Sequence, residues 1–281
     1  MSKKEISKTT SIISGGIAGC IARTATSPIE VVKILKQTGK YQNLNFLQCM
    51  KNINYNEGFR GFFRGNGTCL VRTLPYSAIQ FLTFEQTNAY FNRNNYFTKN
   101  IQYLSSGALA GFTSLTFTYP LELIRTRLTV QSKNQKNYTG IWNACTTITR
   151  NEGPSALFKG YGMSCIGFIP YLSINFYVFN YLKDRTNKYG NPLINLTNGC
   201  IAGTTAISIT YPTDLIRRKL QMDKSTRPNM ISCVKNIYKT QGIHGFYKGY
   251  LTGIGKVTPM SGITFMSYEI LKKFIIENKL N

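Results

Sequence analysis

The sequence predicts an all-α membrane protein of six long helices, arranged as three copies of one two-helix module. Three observations carry this. Pro28-Ile-Glu30 with Lys33 recurs at equal spacing as Pro120-Leu-Glu122 with Arg125, and again as Pro212-Thr-Asp214 with Arg217. A second signature follows each: Glu57-Gly58 leading to Phe63-Arg64-Gly65, Glu152-Gly153 leading to Phe158-Lys159-Gly160, and Gln241-Gly242 leading to Tyr247-Lys248-Gly249. A glycine pair precedes each proline: Gly15 and Gly19, Gly107 and Gly111, Gly199 and Gly203. Distinct motifs in one order at one period are the mark of a repeat architecture.

Each module reads as an odd helix containing the motif proline, a short amphipathic helix, and an even helix that starts after the aromatic-basic-glycine step. The expected spans are 10–37, 67–91, 101–130, 162–185, 194–221 and 253–277. A tail over 1–10 precedes repeats at 11–97, 98–190 and 191–281. An even number of spans puts both termini on one side. Two glycines four residues apart share a helix face and allow close approach of a neighbouring backbone. The proline removes a helix hydrogen bond and predicts a kink. An acid and a base three apart on a water-exposed helix are a minor local pair. Inside apolar spans ionisable groups are costly unless they face water and pair with one another, so a ring is expected in which each acid meets the base of another module.

Composition narrows the function. The chain of 281 residues carries 34 Lys+Arg against 11 Asp+Glu, a net charge of +23, which calls for a polyanionic partner or an anionic surface. A soluble nucleic-acid binder would explain the charge and the aromatic content, but gives no reason for paired glycines and prolines in apolar segments. The seven cysteines have no C-x-x-C and only His244 to join them, so neither a metal site nor a disulfide framework is expected. No nucleophile, base and orienting group fall together, so neither an enzyme nor a cofactor is expected. Met1 to Thr10 is too short and polar for a secretory signal and lacks the Arg-rich stretch of a cleaved transit peptide, so any targeting information is expected within the chain.

The repeat also points to a binding site. Features that obey the three-fold pattern are framework, whereas an asymmetric solute must be held by residues that break it. Seven residues beyond the signature glycines stand Arg72, Gly167 and Lys256, and aligned prolines at Pro75, Pro170 and Pro259 fix the register. The same helix faces continue with Tyr76, Tyr171 and Met260, then Gln80, Asn175 and Thr264. On the odd helices Arg23 stands where the other modules have Leu115 and Ile207. Arg23, Arg72 and Lys256 describe a cationic cavity that concentrates anions, with arginine suited to bidentate contact with phosphate. Gly167 with Phe168 would leave a flat apolar place for a ring near Tyr171. The alternative is that these bases reach an interface or lipid phosphates.

Taken together, P-x-[DE]-x-x-[KR]-x-[KR] followed by [DE]-G-x-x-x-x-[FWY]-[KR]-G is similar to the hallmark of the mitochondrial carrier family, solute carrier family 25. The resemblance runs from about Ser11 to Phe274, with Leu35 and Gln241 as departures. It implies a three-fold pseudosymmetric bundle around a central cavity that opens alternately to either side of the mitochondrial inner membrane. It implies a matrix gate of Glu30 with Arg125, Glu122 with Arg217 and Asp214 with Lys33, and glutamine braces at Gln37 and Gln221, with Thr129 in the third brace position. It implies a cytoplasmic gate on the even helices, in which Glu85 and Lys183 remain as a pair, while Glu269 and Lys272 face asparagines, Asn88 and Asn180. Arg64-Gly65, Lys159-Gly160 and Lys248-Gly249, beside helix starts, are candidate contacts for cardiolipin. A monomer with both termini toward the intermembrane space is expected. Arg64-Gly65-Asn66-Gly67 through Arg72, and Pro75-Tyr76-Ser77-Ala78-Ile79-Gln80-Phe81, resemble the branch of the coenzyme A carriers and the Graves disease carrier, with the ATP-Mg/phosphate carriers close by. The expected cargo is an anion containing an adenine nucleotide, coenzyme A or ATP/ADP-like, exchanged in antiport. A small organic acid, phosphate, or a non-transporting membrane scaffold are the alternatives.

Overall fold

The computed structural model describes residues 8–94, 98–131, 137–186, 191–225 and 229–278, and these are all-helical, with no strand among them. In chain order the helices are α1 (Lys8–Ala25), α2 (Ser27–Thr38), α3 (Phe46–Glu57), α4 (Asn66–Asn94), α5 (Lys99–Val130), α6 (Ile141–Glu152), α7 (Tyr161–Thr186), α8 (Pro192–Met222), α9 (Met230–Gln241) and α10 (Tyr250–Asn278). Short 3-10 turns at Phe59–Phe63, Pro154–Phe158 and Ile243–Tyr247 lead into α4, α7 and α10.

Six rods make the body: α1 with α2, then α4, α5, α7, α8 and α10. They form a closed ring, since α4 packs on α5, α7 on α8 and α10 on α1, while α1 meets α4, α5 meets α7 and α8 meets α10 within modules. The C-terminal halves of the odd rods converge, with α2, α5 and α8 in mutual contact. The ring is therefore drawn together at the end that carries the proline motifs.

The motif prolines do not act alike. Pro28 falls where the first rod divides, between Ala25 and Ser27, whereas Pro120 and Pro212 lie within continuous helices. In the continuous cases the residue before the proline is a tyrosine. Tyr119 Oη donates to the Lys159 carbonyl and Tyr211 Oη to the Lys248 carbonyl, each at 2.8 Å, tying odd rod to signature turn. Ser27 occupies the same position in the first module and, being shorter, reaches only the Phe62 carbonyl at 3.0 Å.

Below the convergence each module has its own small core. Val31, Val32 and Leu35 pack with Cys49, Ile53 and Phe62; Leu123 and Ile124 with Tyr138, Ala144, Ile148 and Ala156; Leu215, Ile216 and Leu220 with Ile237 and Met163. The amphipathic helix of each module thus lies under its own odd rod, its apolar stripe buried there. The signature glycines explain themselves at this level. Gly160 has φ +81°, a left-handed conformation that disfavours a side chain, and a Cβ there would come within 2.9 Å of the Arg217 carbonyl of the next module. Gly65 and Gly249, at φ +71° and +82°, repeat the conformation.

The paired glycines depart from expectation. Gly15, Gly19, Gly107 and Gly199 have nothing within 4 Å of a notional Cβ, so no backbone approaches them in this conformation. Gly111 alone of the six is closely covered, by the Phe168 ring. The odd rods converge at the other end, and α1 packs on α10 and α4 through faces that leave Gly15 and Gly19 clear.

Candidate functional site

Where α2, α5 and α8 converge, the motif acids and bases meet. Lys33 Nζ lies 2.8 Å from Asp214, Arg125 Nη2 3.6 Å from Glu30, and Arg217 Nη2 3.4 Å from Glu122, so each pair joins different modules. The local pair three residues apart forms as well at one place, Arg217 with Asp214 at 2.9 Å. Glu30 and Glu122 are 7% and 3% exposed, a depth at which an unpaired carboxylate costs several kcal/mol, which is why each is met by more than one cation. At the brace positions, Gln37 Nε2 donates to Asp214 at 2.9 Å, and Gln221 bonds Thr126 and Tyr119. Thr129, in the third brace position, donates to the Arg64 carbonyl at 3.2 Å, the position for which Ser27 is too short.

The cavity bases are not free. Arg72 forms an ion pair with Glu122 and Lys256 one with Glu30, so two residues singled out for anion binding rest on the motif acids. Arg72 is held further by Thr118 at 3.3 Å and by the Tyr76 ring, 5.3 Å from its guanidinium. Arg23 has no acidic partner among the described residues; its Nη1 is 3.8 Å from Cys69 Sγ.

Three adjoining cavities lie on the glycine side of the ion pairs. One of about 350 Å³ is lined by Arg72, Tyr76, Gly167, Phe168, Tyr171 and Arg217 among others. A second, of about 620 Å³, is lined by Glu30, Lys256, Met260, Thr264 and again Tyr171. A third, about 230 Å³, is bounded by Arg23, Arg72, Thr73 and Tyr76. Shared residues make these parts of one space. Gln80 and Asn175 line none of the three. Gly167 sits against Thr213, where a Cβ would collide with the hydroxyl, and Phe168 turns onto Gly111.

At the far end of the even helices Glu85 and Lys183 are both exposed, and no salt bridge joins them among the described residues. Asn88 instead accepts from Gln102 Nε2, through its carbonyl at 2.9 Å and its side chain at 3.2 Å. The side chains of Glu269 and Lys272 lie outside the described residues.

The signature bases are engaged internally. Arg64 pairs with Glu57 at 2.9 Å, Lys159 with Glu152 and with the Asp223 carbonyl at 3.0 Å, and Lys248 with Gln42 at 2.7 Å. Glu152 also takes Arg127 in a bidentate contact, 2.5 and 2.8 Å. Burial alone would push the Glu152 carboxyl up, but the hydrogen bonds from Arg127 and Lys159 outweigh it and hold the group below its ordinary value.

Two residues escaped the sequence reading. Arg218, 4% exposed, lies 2.9 Å from Glu122 and also bonds Thr126 and Gln221. Arg127 donates Nε to the Gln221 carbonyl at 2.9 Å, besides holding Glu152. The signal for Arg218 was present: its counterparts are Ile34 and Thr126, so it breaks the three-fold pattern as Arg72 does.

A family model described as mitochondrial carrier protein matches three successive segments, residues 4–95, 97–190 and 188–279. The chain is 36% identical over 301 residues to the mitochondrial adenine nucleotide transporter ADNT1 of Arabidopsis thaliana, covering 93% of this chain and 86% of that protein. It is 32% identical to solute carrier family 25 member 16 of Homo sapiens (94% and 87% covered). It is also 32% identical to mitochondrial carrier protein CoAc1 of Zea mays (94% and 86% covered).

Proposed function

Because the chain belongs to the mitochondrial carrier family, we propose that it carries an anion containing an adenine nucleotide, coenzyme A or ATP/ADP-like, across the mitochondrial inner membrane by alternating access. The six rods span the bilayer. Those of 26 to 32 residues reach about 40 to 48 Å at 1.5 Å per residue, beyond the ~30 Å hydrocarbon core. Large apolar side chains such as Leu74, Phe117, Ile169 and Leu251 stand exposed on them, as lipid-facing residues do. Among the described residues one segment, Pro154–Thr186, is long and apolar enough to cross by composition alone; the other rods carry polar residues toward the cavity.

One observation carries the mechanism: Arg72 and Lys256 hold the motif acids Glu122 and Glu30. A phosphate entering the cavity competes for both bases. As Arg72 and Lys256 turn to the phosphate, Glu122 and Glu30 lose cations and the ring of inter-module pairs weakens. Only a ligand that binds the opened ring better shifts the equilibrium, so the cargo's charge is itself the trigger. Phe168 and Tyr171 offer faces for an adenine ring beside the phosphate-binding bases. The 36% identity to an adenine nucleotide transporter supports this cargo over a small organic acid.

Both termini face the intermembrane space in this reading, and the proline-motif end faces the matrix. The test is uptake into liposomes by the purified protein of labelled coenzyme A, ATP, ADP, phosphate and dicarboxylates. Uptake of an adenine-containing anion, driven by the same anion inside, is expected. Uptake of dicarboxylates alone would replace this reading with an organic-acid carrier, and uptake of none with a scaffold.

A further inference from the structure

Beyond the ion pairs, on the side away from the cargo cavity, the ends of the three odd rods enclose a separate cavity of about 280 Å³. Each module supplies the residues that follow its brace position: Lys40 from the first, Val130 and Gln131 from the second, Met222 and Lys224 from the third. Three helix C-termini gathered together present carbonyls, a negative environment that attracts cations. Those carbonyls are already taken. Lys40 Nζ reaches the Val130 carbonyl at 3.3 Å, Arg64 the Gln131 carbonyl, and Arg127 and Lys159 the Asp223 carbonyl at 3.4 and 3.0 Å.

The carboxylates nearby are taken too, Glu57 by Arg64 and Glu152 by Arg127 and Lys159. Lys40, Arg127 and Lys224 line the cavity with no acid beside them among its described lining residues, while Arg64 and Lys159 reach the carbonyls at its edge. Arg64 Nη2 is buried with no hydrogen-bond partner among the described residues. The Lys40 ammonium is pushed below its ordinary value by burial and by the Arg64 guanidinium beside it, which together outweigh the opposing pull of Glu57. Lys224 is exposed at the rim.

We propose that this cavity is a second anion site, which receives a phosphate group at the outer face of the closed ring through Lys40 and Lys224. The site would capture phosphate-bearing solute arriving from the side opposite the cargo cavity and hold it on the axis until the ring opens. The inference rests on the proposed cargo only for the identity of that solute; the phosphate site itself follows from the uncompensated charge.

Pyrophosphate is the probe, and the intact chain in detergent is the sample. Acylation of lysines is followed residue by residue by mass spectrometry with and without pyrophosphate. Lys40 and Lys224 should lose reactivity by roughly fivefold at high occupancy, while the exposed Lys51 and Lys239 keep theirs. Unchanged reactivity at Lys40 and Lys224, or an equal loss at all four, overturns the site. Lys256 reports the cargo cavity separately, so protection of Lys40 and Lys224 without Lys256 sinks the cargo reading and leaves this one standing. In liposomes, Lys40→Gln with Lys224→Gln should raise KM severalfold for an anion offered from the Lys40 side and leave KM from the cavity side unchanged. An equal change on both sides also counts against the proposal.

Discussion

Arg72 and Arg218 both touch Glu122, yet their surroundings assign them different work. Arg72 lines the cavity and is one of three cations on Glu122, so its loss leaves the carboxylate with Arg217 and Arg218. Arg218 is buried and bridges the second and third modules through Glu122, Thr126 and Gln221. Arg72→Ala is therefore expected to abolish transport with little change in unfolding temperature, whereas Lys256→Ala, which leaves Glu30 with Arg125 at 3.6 Å, should abolish transport and lower the unfolding temperature as well. Arg218→Ala should cost stability of about 1 to 3 kcal/mol, the range for charge-assisted hydrogen bonds removed from a buried site. Thermal unfolding in detergent beside liposome uptake separates them. Equal destabilisation by Arg72→Ala and Arg218→Ala would remove the distinction.

The amphipathic helices differ in how they are fastened. α6 ends in Glu152, which takes Arg127 of α5 and Lys159 before α7, so one carboxylate ties three elements. The first module has Glu57 with Arg64, and α9 ends instead in neutral Gln241, bonded to Gln42 at 3.1 Å. Since the folded-state value of Glu152 is depressed, its contribution to stability is present above the ordinary carboxylate value of 4.5 and lost as pH falls through the depressed value. Protection of the α6 amides against hydrogen exchange, taken relative to the intrinsic rate at each pH, should fall on acidification below that value, and Glu152→Gln should abolish this dependence. The junction of α9, whose Gln241 does not titrate, serves as the internal control. A loss of protection in α6 that persists in Glu152→Gln would place the titrating group elsewhere.

For the molecule as a whole, the two ends are unequal. The proline-motif end carries three inter-module ion pairs with Gln37, Thr129 and Gln221 beside them, whereas Glu85 and Lys183 at the other end stand apart. Replacing an ion pair with a neutral-charged hydrogen bond weakens a partly hydrated gate by about 0.5 to 1 kcal/mol each, so two such replacements make roughly 1 to 2 kcal/mol. That is a factor of about five to thirty in population. The substrate-free protein is expected to rest with its cavity open at the Glu85 end. A cysteine in place of Thr264, which lines the larger cavity, should label quickly from that side in an otherwise cysteine-free chain. Asn88→Lys with Asn180→Asp should slow the labelling by completing the second gate. Slow labelling before substitution, with no further slowing after it, would make the other end the weaker one.

The periodic motifs alone determined that this is an all-helical chain of repeated modules, because a module duplicated in sequence must bury the same faces three times; the family followed from the likeness of those motifs to the mitochondrial carriers and from the match of all three modules to that family. Interrupting that periodicity, Arg72 and Lys256 were legible as asymmetric bases, and the acid-base ring as a set of possible partners. What the sequence left open were the distances between modules. That Arg72 and Lys256 lie on Glu122 and Glu30, that Arg218 is drawn inward, and that Thr129 takes the carbonyl Ser27 cannot reach are consequences of how three rods converge. Four of the paired glycines face open space: spacing puts two residues on one face of a helix, but only the packing of whole rods decides whether that face meets a neighbour.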